Sequence, residues 1–389
     1  MTADIIAETA SLLTAVKAAK SVIEKRNSIP ILNCCRIAAT ADGITVSGTD
    51  LDMEISAPAA GRGRGSLCVP VRPLLRVLRE VDCAETVITM NGTRAHFTMG
   101  RVKLSLDGWP VEDFPAITMP DPMGAIAIGD LPWLLAPVVP CISFEEARYY
   151  LNGVFLRGDG RSLIAAATDG HRIAERRVDV GAEVPDIGHG GMIVPRKAVE
   201  SLLSIADGEV RAEFTWPTPT GEVEHVPATR TRPAHDRPVM TKVHERARFI
   251  TPRGTLTTKL IDGKFPDYGK IFSKAEEAAA TAVPIRIRTA DLAGFLRCEI
   301  AKGEPIKIAQ AGGKPTLSMT DMDTGTVEMK ADGEYPTELG PVGFNPKFVA
   351  DFLPFMGDVA TIVGPSAFDP FVFVAEDQST RLVAMAMRP

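Results

Sequence analysis

The sequence predicts an α+β protein made of three tandem copies of one domain, each with two helices laid on antiparallel strands. Its 389 residues exceed one ordinary domain of roughly 100–200 residues. The pair Thr-Asp occurs at positions 49–50, 168–169 and 320–321. An amphipathic segment follows each pair, so the repeat extends over a whole structural unit.

The amphipathic segments predict one helix in each copy. They span residues 69–82, 194–207 and 344–357. Counted from Pro70, Pro195 and Asn345, apolar residues stand at offsets 4, 7, 8 and 11 in all three. This spacing puts them on the core-facing side of a helix. Offset 2 is basic in every copy, as Arg72, Lys197 and Lys347.

A second helix in each copy is predicted upstream of the first. The segments are 8–23, 129–139 and 289–300. Asp130 and Thr289 have side chains suited to cap the last two of these helices. Period-two alternation predicts strands in the intervening sequence, for example at 94–107, 254–262 and 380–387.

The repeat places three domains at 1–122, 123–273 and 274–389. Their hinges contain PDPMG (120–124) and SKAEEAAATA (273–282), whose composition is typical of linkers. Residues 215–248 have no place in the pattern, and their five prolines and lack of periodicity predict an extended surface loop. Histidines 225, 235 and 244 lack the tight spacing of metal ligands, so no metal site is predicted there.

Composition indicates a globular protein without a membrane segment. Hydrophobic residues make up 45% and charged residues 24% of the chain, which is enough apolar material for packed cores. No apolar run reaches the roughly 18 residues of a membrane span, so we expect a cytoplasmic protein. Six cysteines without a C-x-x-C pair predict buried free thiols. The net charge of −6 argues against a nucleic-acid partner only if the charge is evenly spread.

The recurrent Thr-Asp pair is best explained as a turn at the end of a strand. Each aspartate would then accept hydrogen bonds from nearby backbone amides. In ATDGHRIA (167–174), Asp169 and His171 also allow a second interpretation, the acid and base of a hydrolase. Against it, two copies lack the histidine, and the chain has neither a G-x-S-x-G motif nor a Walker-type phosphate loop.

Seven motifs run in the order found in the bacterial sliding clamps, the beta subunits of DNA polymerase III. They are KRNSIPIL (25–32), GTDLDMEI (48–55), RYYLNG (148–153), ATDGHRIA (167–174), VPRKAVESLL (194–203), KLIDGKFPDY (259–268) and MAMRP (385–389). On these residues, which spread over nearly the whole chain, the sequence resembles that family. The resemblance implies a non-catalytic processivity factor for DNA replication that needs no cofactor. Its three-domain subunits would close head to tail as a homodimer around double-stranded DNA.

The same resemblance implies several protein partners. These are the DNA polymerase III alpha subunit, other polymerases and repair proteins with short linear motifs, and an ATP-driven clamp loader. A loader is expected because the chain has no nucleotide site of its own. A specialised paralogue that serves one repair polymerase or a mobile element is the alternative function within binding proteins.

The resemblance places the offset-2 residues on helices that face DNA. In the first copy, Arg72, Arg76 and Arg79 are spaced by four and three, so they project from one helix face. Basic residues concentrated inside a ring would let an acidic protein bind DNA phosphates. The alternative interpretation is that these arginines form a solvent-exposed charged helix face without a ligand. The implied DNA-binding residues are Arg26, Arg72, Arg76, Arg79, Tyr149, Tyr150, Lys197 and Lys347. Glu145 stands where the family often has an uncharged polar residue.

The resemblance also implies a cleft for client peptides where the second and third domains meet, apolar and lined by adaptable methionines. Its residues would be Arg148, Leu151, Thr168, Gly170, His171, Arg172, Ile173, Pro266, Lys270, Ile271, Asn345, Phe348, Pro370, Val383, Met385, Met387 and Arg388. The dimer interface would contain Phe114 and Ile300. Ala386, Pro389 and the pair Gly269-Lys270 depart from the family pattern, so client preference is expected to differ from the family norm.

Overall fold

The fold combines α-helices with antiparallel sheets, as the sequence predicts. The structure is a computed structural model, and it describes residues 5–185, 187, 190–226, 235–241, 244–298, 304–321, 323–366 and 369–388. Contacts divide the chain into two compact units, each built from two chain segments. Both units contain helices and antiparallel strands, so the predicted α+β class is confirmed.

The elements are numbered in chain order. The α-helices are α1 (Thr9–Val22), α2 (Val71–Glu80), α3 (Leu131–Leu135), α4 (Arg196–Leu203), α5 (Gly269–Thr281), α6 (Thr289–Leu296) and α7 (Pro346–Phe352). The first strands are β1 (Ile5–Glu8), β2 (Cys34–Thr40), β3 (Gly43–Thr49), β4 (Met53–Ala59), β5 (Gly61–Arg62), β6 (Gly65–Pro70), β7 (Glu85–Asn91), β8 (Arg94–Met99), β9 (Val102–Asp107) and β10 (Gly124–Ile128). Next come β11 (Gly153–Asp159), β12 (Ser162–Thr168), β13 (Arg172–Asp179), β14 (Met192–Pro195), β15 (Val210–Thr215), β16 (Pro219–Val226), β17 (His235–Met240), β18 (Arg246–Thr251) and β19 (Gly254–Lys259). The last are β20 (Ile285–Arg288), β21 (Ile306–Ala311), β22 (Lys314–Asp321), β23 (Gly325–Lys330), β24 (Gly333–Glu334), β25 (Val342–Phe344), β26 (Val359–Val363), β27 (Pro370–Phe373) and β28 (Thr380–Met385).

The first unit comprises Met1–Pro132 and Val184–Asp262. One of its sheets has the strand order β10-β15-β18-β19-β4-β3-β2-β6, and the other has the order β5-β1-β7-β8-β9. β4 pairs with β19, with Met53 opposite Thr258, so one sheet joins strands from both sides of the predicted boundary at 122. β9 lies at the edge of the second sheet.

Helix α1 packs closely on the sheet of the first unit. Leu12, Val16 and Ala19 are fully buried, which is the expected i, i+4, i+7 stripe. A Cβ added to Gly48 on β3 would lie 2.3 Å from the carbonyl oxygen of Ala19. Helix and strand can therefore approach this closely only because position 48 has no side chain.

The second unit comprises Trp133–Glu183 and Gly263–Pro389. Its strands follow the orders β11-β12-β13-β28-β27-β26-β20-β24 and β23-β22-β21-β25. β13 pairs with β28, so strands far apart in sequence share one sheet. Edge-to-face phenylalanines fill the core, with the ring of Phe344 5.1 Å from Phe371 and 5.3 Å from Phe373. The two units divide the predicted second domain between them, and the three-domain division stays a prediction.

The three amphipathic segments form helices α2, α4 and α7. The stripe residues buried in them are Leu74, Leu78, Val199, Leu202, Val349 and Phe352. Asn345 caps α7, and its Oδ1 accepts a hydrogen bond of 2.9 Å from the amide of Lys347. After Phe352 the chain continues as a 3-10 helix, since Pro354 has no amide hydrogen for a further α-helical turn.

Two details of the other helices differ from the predictions. Arg288, and not Thr289, is the N-cap of α6, and the Thr289 hydroxyl instead donates to the carbonyl of Gly357 at 2.6 Å. The predicted linker 273–282 lies almost entirely in α5. Alanine, glutamate and lysine are strong helix formers, and burial of Phe272 and Ala275 holds the helix on the sheet.

Residues 215–248, predicted to be an extended surface loop without regular elements, in fact contain two strands. β16 and β17 form an antiparallel hairpin in this segment, and Thr218 and Thr241 hydrogen-bond at its base. Both strands of a two-stranded hairpin are edge strands. Proline is tolerated at positions where the backbone nitrogen faces solvent and has no strand partner. Residues 227–234, 242 and 243 lie outside the described ranges.

Most of the cysteines are buried. All six cysteines are free, and Cys34, Cys35, Cys68 and Cys141 are buried as predicted. Cys83 is half-buried and Cys298 is exposed, so the prediction of burial fails for these two. Among the described residues, no helix has the length and apolar character needed to cross a membrane.

Leu51 has a strained backbone. Its φ is 82°, and in the described chain it is the one residue other than glycine with a positive φ. We expect Leu51→Gly to have a higher free energy of unfolding than Leu51→Ala by about 1 kcal/mol, because glycine relieves left-handed strain. Urea denaturation measures this difference. At Val359, an exposed β26 residue, the order should reverse, and a Leu51→Gly less stable than Leu51→Ala would contradict the expectation.

Candidate functional site

The turn at Thr168–Arg172 is held by hydrogen bonds from side chains to the backbone. Thr168 Oγ1 donates to the carbonyl of Arg172 at 2.7 Å and accepts from the amide of Gly170 at 3.1 Å. Asp169 Oδ1 accepts from the amides of His171 and Arg172 at 2.9 and 3.0 Å. Gly170 has a φ of 89°, at which glycine is favoured. The turn connects β12 to β13.

The other two Thr-Asp pairs use their aspartates in the same way. Asp50 Oδ1 accepts bonds of 3.0 and 2.9 Å from the amides two and three residues further on. Asp321 Oδ1 accepts bonds of 2.9 and 2.8 Å from the equivalent amides. These bonds, those from Thr324 foremost, hold the pKa of Asp321 below its usual range. The interpretation of Thr-Asp as a strand-end turn is confirmed.

The guanidinium of Arg172 is buried beside this turn. Its Nε lies 3.0 Å from Asp169 Oδ2, and its Nη1 lies 2.7 Å from Asp351 Oδ2. Nη2 donates to the carbonyl of Pro140, and Cζ lies 4.3 Å from the ring centre of Phe348. One charge therefore fixes the turn, helix α7 and the segment at Pro140 relative to one another.

Strand pairing brings several predicted cleft residues together. Ile173 on β13 lies opposite Val383 on β28, and Met385 lies opposite Pro370 on β27. The amide of Met385 donates to the carbonyl of His171 at 2.8 Å. The chain end thus runs beside the Thr168–Arg172 turn, which the sequence separates from it by about 200 positions.

All the predicted cleft residues lie in the second unit. The buried ones are Leu151, Thr168, Arg172, Ile173 and Val383. The exposed or half-buried ones are Arg148, Gly170, His171, Pro266, Lys270, Ile271, Asn345, Phe348, Pro370, Met385, Met387 and Arg388. Lys270 and Ile271 lie in the first turn of α5, which packs on β27 and β28. The amide of Met387 donates to the carbonyl of Gly343 at 2.7 Å, close to the Asn345 cap of α7.

These residues present apolar surface with nearby donors. Ile271 is 44% exposed and Met385 is 38% exposed, and both side chains can contact an apolar ligand. The three guanidinium nitrogens of Arg172 already have acceptors within the protein. The exposed imidazole of His171 is therefore better placed than Arg172 to bond a bound peptide.

In the first unit, basic residues gather at the C-terminal end of α1. Arg72 donates to the carbonyls of Glu24 and Lys25, which precede Arg26. Burial and then the charges of Arg72, Lys197 and Lys25 lower the pKa of Lys20. The predicted residues Arg26, Arg76 and Arg79 are exposed.

Lys197, by contrast, is held by acids. Its ammonium group forms ion pairs with Glu24 and Asp50, and its side chain is only 30% exposed. Much of its charge is therefore compensated within the first unit. It ties α4 to the Thr49-Asp50 turn and to the end of α1, and it is a weaker candidate for phosphate contact than the exposed arginines.

The remaining predicted DNA contacts lie in the second unit. Tyr149 and Tyr150 belong to a 3-10 helix at Glu146–Leu151, and their rings meet edge to face with centres 5.9 Å apart. Tyr149 is 52% exposed, which leaves its ring face accessible. Glu145 forms an ion pair with Arg148 instead of projecting alone. Lys347 is exposed in the first turn of α7.

The two predicted interface residues fare differently. Ile300 lies outside the described residues. Phe114 is only 5% exposed and packs with Ile31, Leu32 and Cys34, so its ring offers almost no surface to a partner. The assignment of Phe114 and Ile300 to the dimer interface stays a prediction. Strand β9 lies at a sheet edge, which the sequence does not reveal, because alternation predicts a strand but not whether it has a neighbour.

Nor does the structure reveal a metal-binding cluster in its described part. No group of three or more His, Cys, Asp and Glu side chains is placed to hold an ion there. His225 Nδ1 lies 2.7 Å from Asp236 Oδ1 across the β16–β17 hairpin. The side chain of His235 lies outside the described residues.

Comparison with known proteins identifies one family. A family model of the DNA polymerase III beta subunit N-terminal domain matches residues 3–118, and one of its central domain matches residues 134–267. The beta sliding clamp of Caulobacter vibrioides is 29% identical over 372 residues, covering 92% of this chain and 91% of that protein. That of Vibrio cholerae is 25% identical, covering 98% of both. The crystal structure of the DNA polymerase sliding clamp from Caulobacter crescentus has a TM-score of 0.79 and 26% identity, covering 99% of this chain and 100% of that one.

Removing the Arg172 charge should destabilise the second unit strongly. Arg172→Met leaves Asp169 and Asp351 without their shared partner, and we expect a loss of about 3 kcal/mol in the free energy of unfolding. Arg148→Met is the matched control, since that guanidinium lies at the surface and its loss should change stability little. Chemical denaturation followed by circular dichroism distinguishes the two. Equal midpoints for both variants would overturn the assigned role of Arg172.

Proposed function

The chain belongs to the DNA polymerase III beta subunit family, the non-catalytic sliding clamps of DNA replication, and on that premise we propose that two copies close head to tail around duplex DNA. The ring would tether the polymerase III alpha subunit, and other polymerases and repair proteins would bind through short linear motifs. An ATP-driven loader would open it. No observation favours a hydrolase, because Asp169 is engaged by two backbone amides and by Arg172.

The basic surface at the end of α1 is the observation that carries the DNA proposal. Arg76 and Arg79 are exposed on α2, and Arg72 fixes the backbone that leads to exposed Arg26. Guanidinium groups arranged in this way would contact phosphates without reading bases. Sequence-independent contact is what a protein that slides along DNA requires.

Two strand edges support the closure of the ring. β9 ends one sheet of the first unit, and β23 ends one sheet of the second. On β9, Val102 is 42% exposed and Leu104 is half-buried, whereas β23 alternates exposed and half-buried residues. An unpaired edge attracts another strand. We therefore assign β9 of one subunit to pair with β23 of the other, with Lys103 and Glu328 supplying opposite charges.

The cleft supports the client proposal. Ile271 and Met385 expose apolar surface. The ion pairs of Arg172 with Asp169 and Asp351 hold the Thr168–Arg172 turn and α7 in place beside them. A rigid apolar site with adaptable methionine fits short peptides that insert one or two large apolar side chains. Such a peptide would find a donor in His171.

Topological binding to DNA tests the ring. After loading by the cognate loader with ATP, the protein should stay on closed circular DNA in high salt and leave once the DNA is cut, because a ring slides off an end. Leu104→Glu should sediment as a monomer and lose retention, whereas Val283→Glu, at a residue 67% exposed, should behave like the wild type. Equal retention on linear and circular DNA would refute the proposal.

Removing the Met385 side chain tests the cleft. Met385→Ala should weaken binding of the cognate alpha subunit about tenfold, the effect of losing a central apolar contact. Interferometry on the immobilised subunit measures this, with Val374→Ala as a control on another exposed apolar residue. A point substitution is preferred to deleting the tail, since deletion would also break the backbone bonds of Met385 and Met387. Unchanged affinity in Met385→Ala would exclude the assigned site.

A further inference from the structure

Helix α5 forms one wall of the proposed cleft, and few apolar residues attach it to the sheet. Its first turn contains Lys270 and Ile271, and of its 13 residues only Phe272 and Ala275 are buried. An isolated helix of this length is marginal in water. Contacts other than apolar burial must therefore fix its orientation on the sheet.

An aromatic group holds the start of α5. Tyr268, which precedes the helix, is 5% exposed. Its ring meets Phe265 edge to face at 5.8 Å and Phe272 at 5.9 Å, and Phe265 stacks on Phe155 at 4.7 Å. This contact fixes where the helix begins, but it leaves rotation about that point less constrained.

Arg381 on β28 supplies the second attachment. Its Nε and Nη2 lie 2.7 and 2.8 Å from the two carboxylate oxygens of Glu276, one turn beyond Phe272. Its Nη1 donates to Glu175 on β13 at 3.2 Å, and its Cζ lies 4.1 Å from the ring centre of Phe272. A bidentate pair between planar groups admits a narrow range of orientations.

The same strand face carries Arg381 and the cleft. Side chains two residues apart on a strand share a face, so Arg381, Val383 and Met385 point to one side. The register puts Val383 opposite Val372 and Met385 opposite Pro370. α5 covers this side through Phe272 and Glu276. The attachment of α5 and the apolar wall of the cleft therefore lie on one continuous strip of sheet.

We propose that Arg381 is a positioning residue for the client cleft, which sets the distance between Ile271 and Met385 by clamping α5 through Glu276. The proposal rests on the proposed function of the cleft. Arg381 touches no client peptide itself. It acts on the α5 side of the cleft, and clients whose side chains contact Ile271 would depend on it most.

Graded substitutions test the clamp. Arg381→Ala should raise the Kd for the cognate alpha subunit about tenfold, and Arg381→Lys about threefold, because lysine keeps the charge but loses the bidentate fork. Glu276→Gln, which removes the partner charge from an exposed position, should resemble Arg381→Lys. Glu277→Gln, an exposed change on the same helix, is the control and should bind like the wild type.

A double-mutant cycle separates positioning from a general structural effect. In an Ile271→Ala background, Arg381→Ala should change the Kd by less than about twofold, because the side chain that it positions is absent. Independent, fully additive effects would overturn the proposal, as would a wild-type Kd for both Arg381→Ala and Glu276→Gln. Failure of the cleft itself is recognised separately, since Met385→Ala would then also bind normally.

Discussion

A guanidinium taken out of water must recover its lost hydration from fixed protein acceptors, and Arg172 does so with two carboxylates, a carbonyl and an aromatic face. Those acceptors come from the Thr168–Arg172 turn, from α7 and from the chain at Pro140. Displacing either aspartate would leave its carboxylate without this buried partner. The backbone pairing of β13 with β28 continues from this turn and places Met385 beside His171. The cleft is thus held by Arg172 at the Thr168–Arg172 turn and by Arg381 at α5.

The sequence was most informative where one periodic pattern decides the outcome. The stripes of α2, α4 and α7 were found because burial of one helix face repeats every three to four residues. The Thr-Asp turns were found because their hydrogen bonds are local. Helix α5 was mistaken for a linker, since its two buried residues are too few to make a stripe. Partners far apart in the chain, such as Arg172 with Asp351 and Arg381 with Glu276, leave no pattern in a single sequence.

The net charge of the chain does not describe the charge of its individual surfaces. The chain has a net charge of −6, yet Arg26, Arg76 and Arg79 are all exposed in the first unit. Repetition misleads in another way. Lys197 occupies the same helix position as Arg72, but Glu24 and Asp50 compensate its charge. Equivalent positions in a repeat lie at the same place in the helix but do not have the same neighbouring side chains.

The pairing of β4 with β19 also governs how the chain can be divided. Met53 to Ser56 on β4 meet Thr255 to Thr258 on β19, which follows more than 190 residues later. Cutting the chain at the sequence boundary near 122 would strip β4 of that neighbour and open a row of unpaired amides and carbonyls in mid-sheet. Such an edge associates readily with other chains. The first sequence copy therefore contains only part of its sheet, and we expect unfolding to proceed by sheets rather than by copies.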